Sequence, residues 1–113
     1  MNNRRTEPRF LCAELVKVRV QDEAGLREET CNLEDISPSG ACVQLEAAAQ
    51  TGADIELTCA QCSLRGKVRY CVSSPLGYDV GIAFDQRKSW SPQRFKPKHI
   101  LFATPEEDNT SSD

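Results

Sequence analysis

The chain has 113 residues, of which 39% are hydrophobic, so its length and composition allow one modest core and a single domain. Its formal net charge is −3 and its isoelectric point is about 5.2, which excludes a general nucleic-acid or membrane-surface binder because both need an excess of cations. No apolar run approaches the roughly 20 residues of a membrane span, and no apolar signal-peptide core follows Met1, so a cytoplasmic location is expected.

Residues 1–10 show little apolar periodicity and predict a flexible polar arm that carries Arg4, Arg5 and Arg9. In the segment 13–20, valines alternate with polar residues, which is typical of a half-buried strand. Further strand-like segments predict five more strands, at 28–36, 41–45, 54–58, 64–72 and 78–84.

Within the segment 64–72, the alternation places Tyr70 on the same face as Val68. The opposite face carries Arg65, Lys67 and Arg69, which are interpreted as a solvated wall of the domain, with extra ligand or partner contacts as the alternative. In the next strand, Gly81 is a candidate for a bulge or bend.

The C-terminal part predicts a short helix near 91–101, because Ser91 is a good cap and Pro92 suits the first helical position. Trp90 is expected to cover one open end of the sheet, and residues 104–113 are expected to be a disordered acidic tail. Six short strands without a long helix between them predict an all-β fold, an antiparallel barrel over residues 11–103.

Six cysteines without an export signal are expected to be reduced thiols. Four of them lie among apolar or strand-forming neighbours and are predicted to be core residues: Cys12, Cys31, Cys42 and Cys71. Cys59 and Cys62 have the spacing of half a zinc site or of a redox pair. His99 is the sole histidine, so unliganded hairpin positions are the preferred interpretation, and zinc and a reversible disulfide are the alternatives.

Catalysis is not expected, because no nucleophile has an evident histidine and carboxylate to activate it. Two motifs indicate binding instead. The arginine cluster supplies guanidinium groups that hold phosphate and stack on flat rings. The segment Asp35-x-Ser37-x-x-Gly40 supplies an acceptor, a hydroxyl and a glycine that lets a ligand approach the backbone. Together they predict a pocket for a phosphate-bearing purine, although each motif alone is also typical of a basic tail or an ordinary turn.

The order of these motifs resembles that of the PilZ domain family. Arg5-x-x-x-Arg9 stands just ahead of the first strand, and Asp35-x-Ser37-x-x-Gly40 stands between the second and third. The resemblance covers about residues 4–101, and residues 64–70 and 80–84 look like the family's later strands. It implies a six-stranded antiparallel β-barrel with a short C-terminal helix, and a role in bacterial second-messenger signalling as a receptor for cyclic di-GMP.

The resemblance also implies a ligand set. Arg5 and Arg9 would bind the phosphates or a guanine, Asp35 would accept from guanine N–H groups, Ser37 would donate to a phosphate or to N7, and Gly40 would leave room for the base.

A basic residue at position 4 accompanies a stacked pair of ligands in this family, so two cyclic di-GMP molecules per chain are expected. The arm is expected to close on the ligand and to signal to a downstream protein. The alternative is a PilZ-like adaptor that binds no nucleotide and acts only through protein interaction.

Overall fold

The computed structural model describes residues 7–59, 62–86, 89–91, 94, 96–97 and 100–105, with residues 101–105 as backbone alone. Seven strands make up this part of the chain: β1 Pro8–Asp22, β2 Gly25–Ser37, β3 Gly40–Leu45, β4 Asp54–Cys59, β5 Cys62–Ser74, β6 Gly77–Phe84 and β7 Ile100–Pro105. The six predicted strands are all present as β1 to β6, and each extends beyond its predicted bounds at one or both ends.

The first six strands pair in the order β2, β3, β6, β5, β4 and β1. Because β1 also pairs with β2, these six strands close into a barrel. Every pairing between neighbours is antiparallel, which confirms the predicted six-stranded antiparallel barrel. The seventh strand pairs with the first part of β1, from Pro8 to Cys12, whereas β4 pairs with β1 from Lys17 to Gln21. β7 therefore covers the part of the β1 edge that β4 does not reach.

The predicted C-terminal helix is not confirmed. Residues 92, 93, 95, 98 and 99 lie outside the described residues, and Ile100 begins a strand. That strand continues through Thr104 and Pro105, which were expected in the tail, and residues 106–113 lie outside the described part. Among the residues that are described, no helix is long and apolar enough to cross a membrane.

The core forms because alternate side chains of the strands point into the barrel. Its fully buried members include Val18, Leu33, Val43, Leu57 and Val80. Trp90 joins this core with only 1% of its surface exposed. Its ring meets that of Phe10 edge to face, with the centroids 5.3 Å apart. The segment after β6 is thereby packed against the beginning of β1.

The alternation of β5 changes face at a bulge. Leu64, Gly66 and Val68 are buried, and the register of β5 against β6 then shifts between Val68 and Tyr70. The extra residue, Arg69, turns the following side chain to the outer face, so Tyr70 is 40% exposed. The expectation that Tyr70 shares a face with Val68 is therefore wrong.

All six cysteines are free thiols, and five of them are buried; Cys71 is half-buried. Cys59 and Cys62 lie opposite each other at the β4–β5 connection. No group of three potential metal ligands occurs among the described residues. Burial raises the pKa of Cys12, Cys31, Cys42 and Cys59 to about 12, so these thiols are protonated near neutral pH.

Thiol titration tests this packing. In the native protein at pH 8, a disulfide reagent should react fastest with half-buried Cys71 and far more slowly with the four protonated, buried thiols, because the thiolate is the nucleophile. Unfolding in guanidinium chloride should release all six thiols at once. Rapid reaction of several thiols in the native protein would contradict the buried arrangement.

Candidate functional site

The turn between β2 and β3 is held by hydrogen bonds on both sides. Ser37 lies opposite Gly40 across the hairpin, and its hydroxyl donates to the Gly40 carbonyl at 3.2 Å. The carbonyl of Pro38 accepts from the backbone N–H of Trp90 at 3.3 Å. The turn is therefore fixed to the buried segment that follows β6.

Arg9 and Asp35 meet beside this turn. The antiparallel register places Phe10 opposite Ile36, which brings the beginning of β1 alongside the end of β2. The Arg9 Nη2 atom lies 3.0 Å from Asp35 Oδ2. The Arg9 side chain is 44% exposed and that of Asp35 is 13% exposed, so the pair adds roughly 0–1 kcal/mol to stability. Its main effect is to hold a cation and an acceptor together at a surface.

A groove of about 340 Å³ joins these groups. Four of the residues predicted from sequence line it: Arg9, Asp35, Ser37 and Gly40. The other lining residues are Glu7, Ala41, Arg69, Tyr70, Gly81 and Ile82. Its volume is near the lower limit of small-molecule pockets, which span roughly 300–1,000 Å³. The groove is therefore large enough for a small ligand or for part of a larger one.

A chain of hydrogen bonds leads away from Tyr70, which lines the groove. The Tyr70 hydroxyl donates to the sulfur of Cys42, 3.8 Å away, and the Cys42 thiol donates to Glu34 Oε1 at 3.5 Å. Burial raises the pKa of both Tyr70 and Cys42 to about 12, so both are neutral near pH 7. Burial and the nearby Asp79 carboxylate raise the pKa of Glu34 above its usual range. The charged residues that line the groove are Glu7, Arg9, Asp35 and Arg69.

A second groove, of about 380 Å³, lies around Arg19, Asp54 and Arg65. Both of its cations are paired, Arg19 with Glu28 at 3.2 Å and Arg65 with Glu56 at 3.6 Å, whereas in the groove at Arg9 the second cation, Arg69, pairs with no described carboxylate. The second groove also carries three carboxylates in its lining, from Asp54, Glu56 and Asp85. It is thus less suited to an anionic ligand than the groove at Arg9.

The sequence model of the PilZ domain matches residues 3–89. The chain belongs to the PilZ domain family. A search of curated proteins found no match to the chain. PilZ domains are ligand-binding or adaptor domains, and the family binds cyclic di-GMP. The matched segment includes both arginine positions and the whole of the β2–β3 turn.

In this PilZ domain the fold itself requires a glycine at position 40, for a reason that the sequence did not indicate. The expectation was room for a ligand. The described glycines with positive φ are Gly25, Gly52 and Gly77, so position 40 does not need glycine for its φ angle. A Cβ atom on Gly40 would lie 2.4 Å from the carbonyl oxygen of Ile82. Glycine is required here because β3 approaches the backbone of β6 too closely for a side chain.

Glu7 contacts the turn. Its side chain can point outward from an extended arm, but in the structure its carboxylate accepts a hydrogen bond from the Ser39 hydroxyl and lines the groove. This bond attaches Glu7, which directly precedes β1, to the β2–β3 turn. It also places a negative charge beside the cations of the groove.

Two residues that line the groove, Arg69 and Tyr70, were not among the ligand residues predicted from the sequence. Arg69 was interpreted as part of a solvated wall, and Tyr70 as facing inward, because regular alternation gives no sign of the β5 bulge. The remaining predicted ligand residues, Arg4 and Arg5, lie outside the described residues.

Substituting Gly40 tests whether the glycine serves the fold. Gly40→Ala should lower the free energy of unfolding by about 1–3 kcal/mol, because the overlapping atom is backbone and β3 must move away from β6. Denaturant unfolding followed by circular dichroism measures this. An unchanged midpoint would show that Gly40 matters only for a ligand.

Proposed function

We propose that this PilZ domain is a cyclic di-GMP receptor that changes conformation on binding and signals to a downstream protein. The observation that carries the proposal is the Arg9–Asp35 pair at 3.0 Å, in one groove with Ser37 and Gly40. Both motifs of the family thus contribute side chains to the same surface. An adaptor that binds no nucleotide would have no need of this convergence.

Each residue has a chemical role in the proposed complex. Arg9, with Arg5, neutralises phosphate or donates to the O6 and N7 atoms of guanine. A carboxylate offers about four acceptor positions, so Asp35 can accept from guanine N–H groups while it keeps its bond to Arg9. The Ser37 hydroxyl can rotate from the Gly40 carbonyl to donate to a phosphate or to N7.

The proposed signal begins at the residue next to Arg9. Phe10 packs on Trp90, and Trp90 donates its backbone N–H to Pro38 in the turn. A ligand that draws Arg9 toward the turn would therefore disturb a contact in the core. Each residue that becomes ordered on binding would cost about 1–2 kcal/mol in backbone entropy, which the ligand contacts must offset. A partner protein would recognise the rearranged surface.

Arg4 supports binding of two stacked ligands. One cyclic di-GMP carries two phosphates, so a stacked pair brings four negative charges to the groove. Arg4 and Arg5 would add two cations to those of Arg9 and Arg69, which already line it. We propose a ratio of two ligands per chain on this basis.

Calorimetric titration with cyclic di-GMP tests the receptor. Arg9→Ala should weaken binding at least about tenfold, because it removes charge-assisted hydrogen bonds, and Ser37→Ala about three- to tenfold. The wild-type protein should bind with a ratio near two, and a ratio near one would exclude the stacked pair.

Arg19→Ala is the matched control for that titration. Arg19 lies on the same strand as Arg9, is 47% exposed and is also paired with a carboxylate, but it does not line the groove. Its variant should bind within about twofold of wild type. Folded wild-type protein that binds no ligand at high micromolar concentration would contradict the receptor and favour the adaptor.

Glu7→Gln should strengthen ligand binding. The change removes a negative charge from the groove and keeps an oxygen that can accept from Ser39. The dissociation constant for cyclic di-GMP should fall by about two- to tenfold, and the gain should shrink at high salt because charges at this surface are screened. Weaker binding by Glu7→Gln would mean that the carboxylate itself assists the ligand.

A further inference from the structure

The bulge in β5 delivers an aromatic ring to the groove. Tyr70 follows the extra residue Arg69 and lies opposite Gly81 of β6. Gly81 lies opposite Cys42 of β3, and Cys42 lies opposite Asp35 of β2. A single row across four strands therefore runs from the Asp35 carboxylate to the Tyr70 ring.

The tyrosine ring occupies the space above Gly81. A Cβ atom at Gly81 would lie 2.2 Å from Tyr70 Cε2 and 2.5 Å from Cζ, so only glycine lets the ring lie across β6. The hydroxyl points along the row to the sulfur of Cys42. The ring is thereby held at both ends, and yet it remains 40% exposed in the groove.

Chemistry and position suit this ring to a nucleobase. A tyrosine is neutral near pH 7, and burial raises the pKa of Tyr70 further, to about 12, so the ring does not repel phosphate. Arg69 lines the groove beside it and forms no ion pair with a described carboxylate, in contrast to Arg65 and Lys67 on the same strand. The groove thus combines a flat ring, a cation and, at the other end of the row, the acceptor Asp35.

We propose that Tyr70 is the platform on which one guanine base of the ligand stacks while Asp35 binds the edge of that base, with Arg69 adding a cation for its phosphate. The proposal rests on the proposed cyclic di-GMP function and adds to it a recognition element contributed by β5. It also gives the β5 bulge and Gly81 a function, since together they present the ring to the groove.

Three substitutions test the platform by calorimetry with cyclic di-GMP. Tyr70→Ala should weaken binding about tenfold, since stacking on an aromatic side chain contributes substantially for each base. Tyr70→Phe keeps the ring and should bind within about twofold of wild type. Val72→Ala is the control, because Val72 is the next outward residue on β5, is 54% exposed and does not line the groove.

Tyr70→Leu still covers Gly81 with an apolar side chain, so it serves as the test if Tyr70→Ala unfolds. It should lose as much affinity for cyclic di-GMP as Tyr70→Ala. In the wild-type protein, the ring protons of Tyr70 should shift upfield when ligand is added, a change that a purely structural tyrosine would not show. Wild-type affinity in the alanine and leucine variants would overturn the platform and leave the receptor intact. Weak binding by Tyr70→Phe would overturn it in favour of the hydroxyl, and no binding by wild type would overturn both proposals.

Discussion

Strand β1 pairs with β2 from Phe10 to Asp22, and its other edge is shared between β4 and β7. This double pairing closes the barrel, so no neighbouring strand can slide without exposing the side chains that alternate into the core. It also fixes the site. With Phe10 opposite Ile36, Arg9 has to lie beside the β2–β3 turn, and the two motifs converge although 26 residues separate Arg9 from Asp35.

Close backbone approach and one bulge then shape the groove. Gly40 lets β3 approach the Ile82 carbonyl, and Gly81 lets the Tyr70 ring lie over β6. The β5 bulge turns Tyr70 outward. These features leave charges from the N-terminal arm and the turn on one side of the groove and an aromatic ring on the other. The stable barrel positions the groove, and the Phe10–Trp90 contact connects it to the core.

The sequence predicted the barrel well because alternation is a local signal: all six strands appear, and the turn at Pro38 lies where its residues indicated. β7 was missed because the run Ile-Leu-Phe-Ala has no alternation and because Ser91 and Pro92 favoured a short helix near 91–101. Tyr70 was assigned to the wrong face because a bulge depends on the register of a partner strand. The motif identified Gly40 as a candidate residue from the sequence. Its close approach to Ile82 was not predicted, because that contact is tertiary and leaves no local sequence pattern.

The most direct test of the proposed groove is a titration of nitrogen-15-labelled protein with cyclic di-GMP, followed through the backbone amide signals. We predict that the largest shifts occur at residues 35–40, at Arg69 and Tyr70, and at Gly81, which surround one groove. Shifts centred on Arg19, Asp54 and Arg65 instead would place the ligand in the other groove and contradict the role of both motifs.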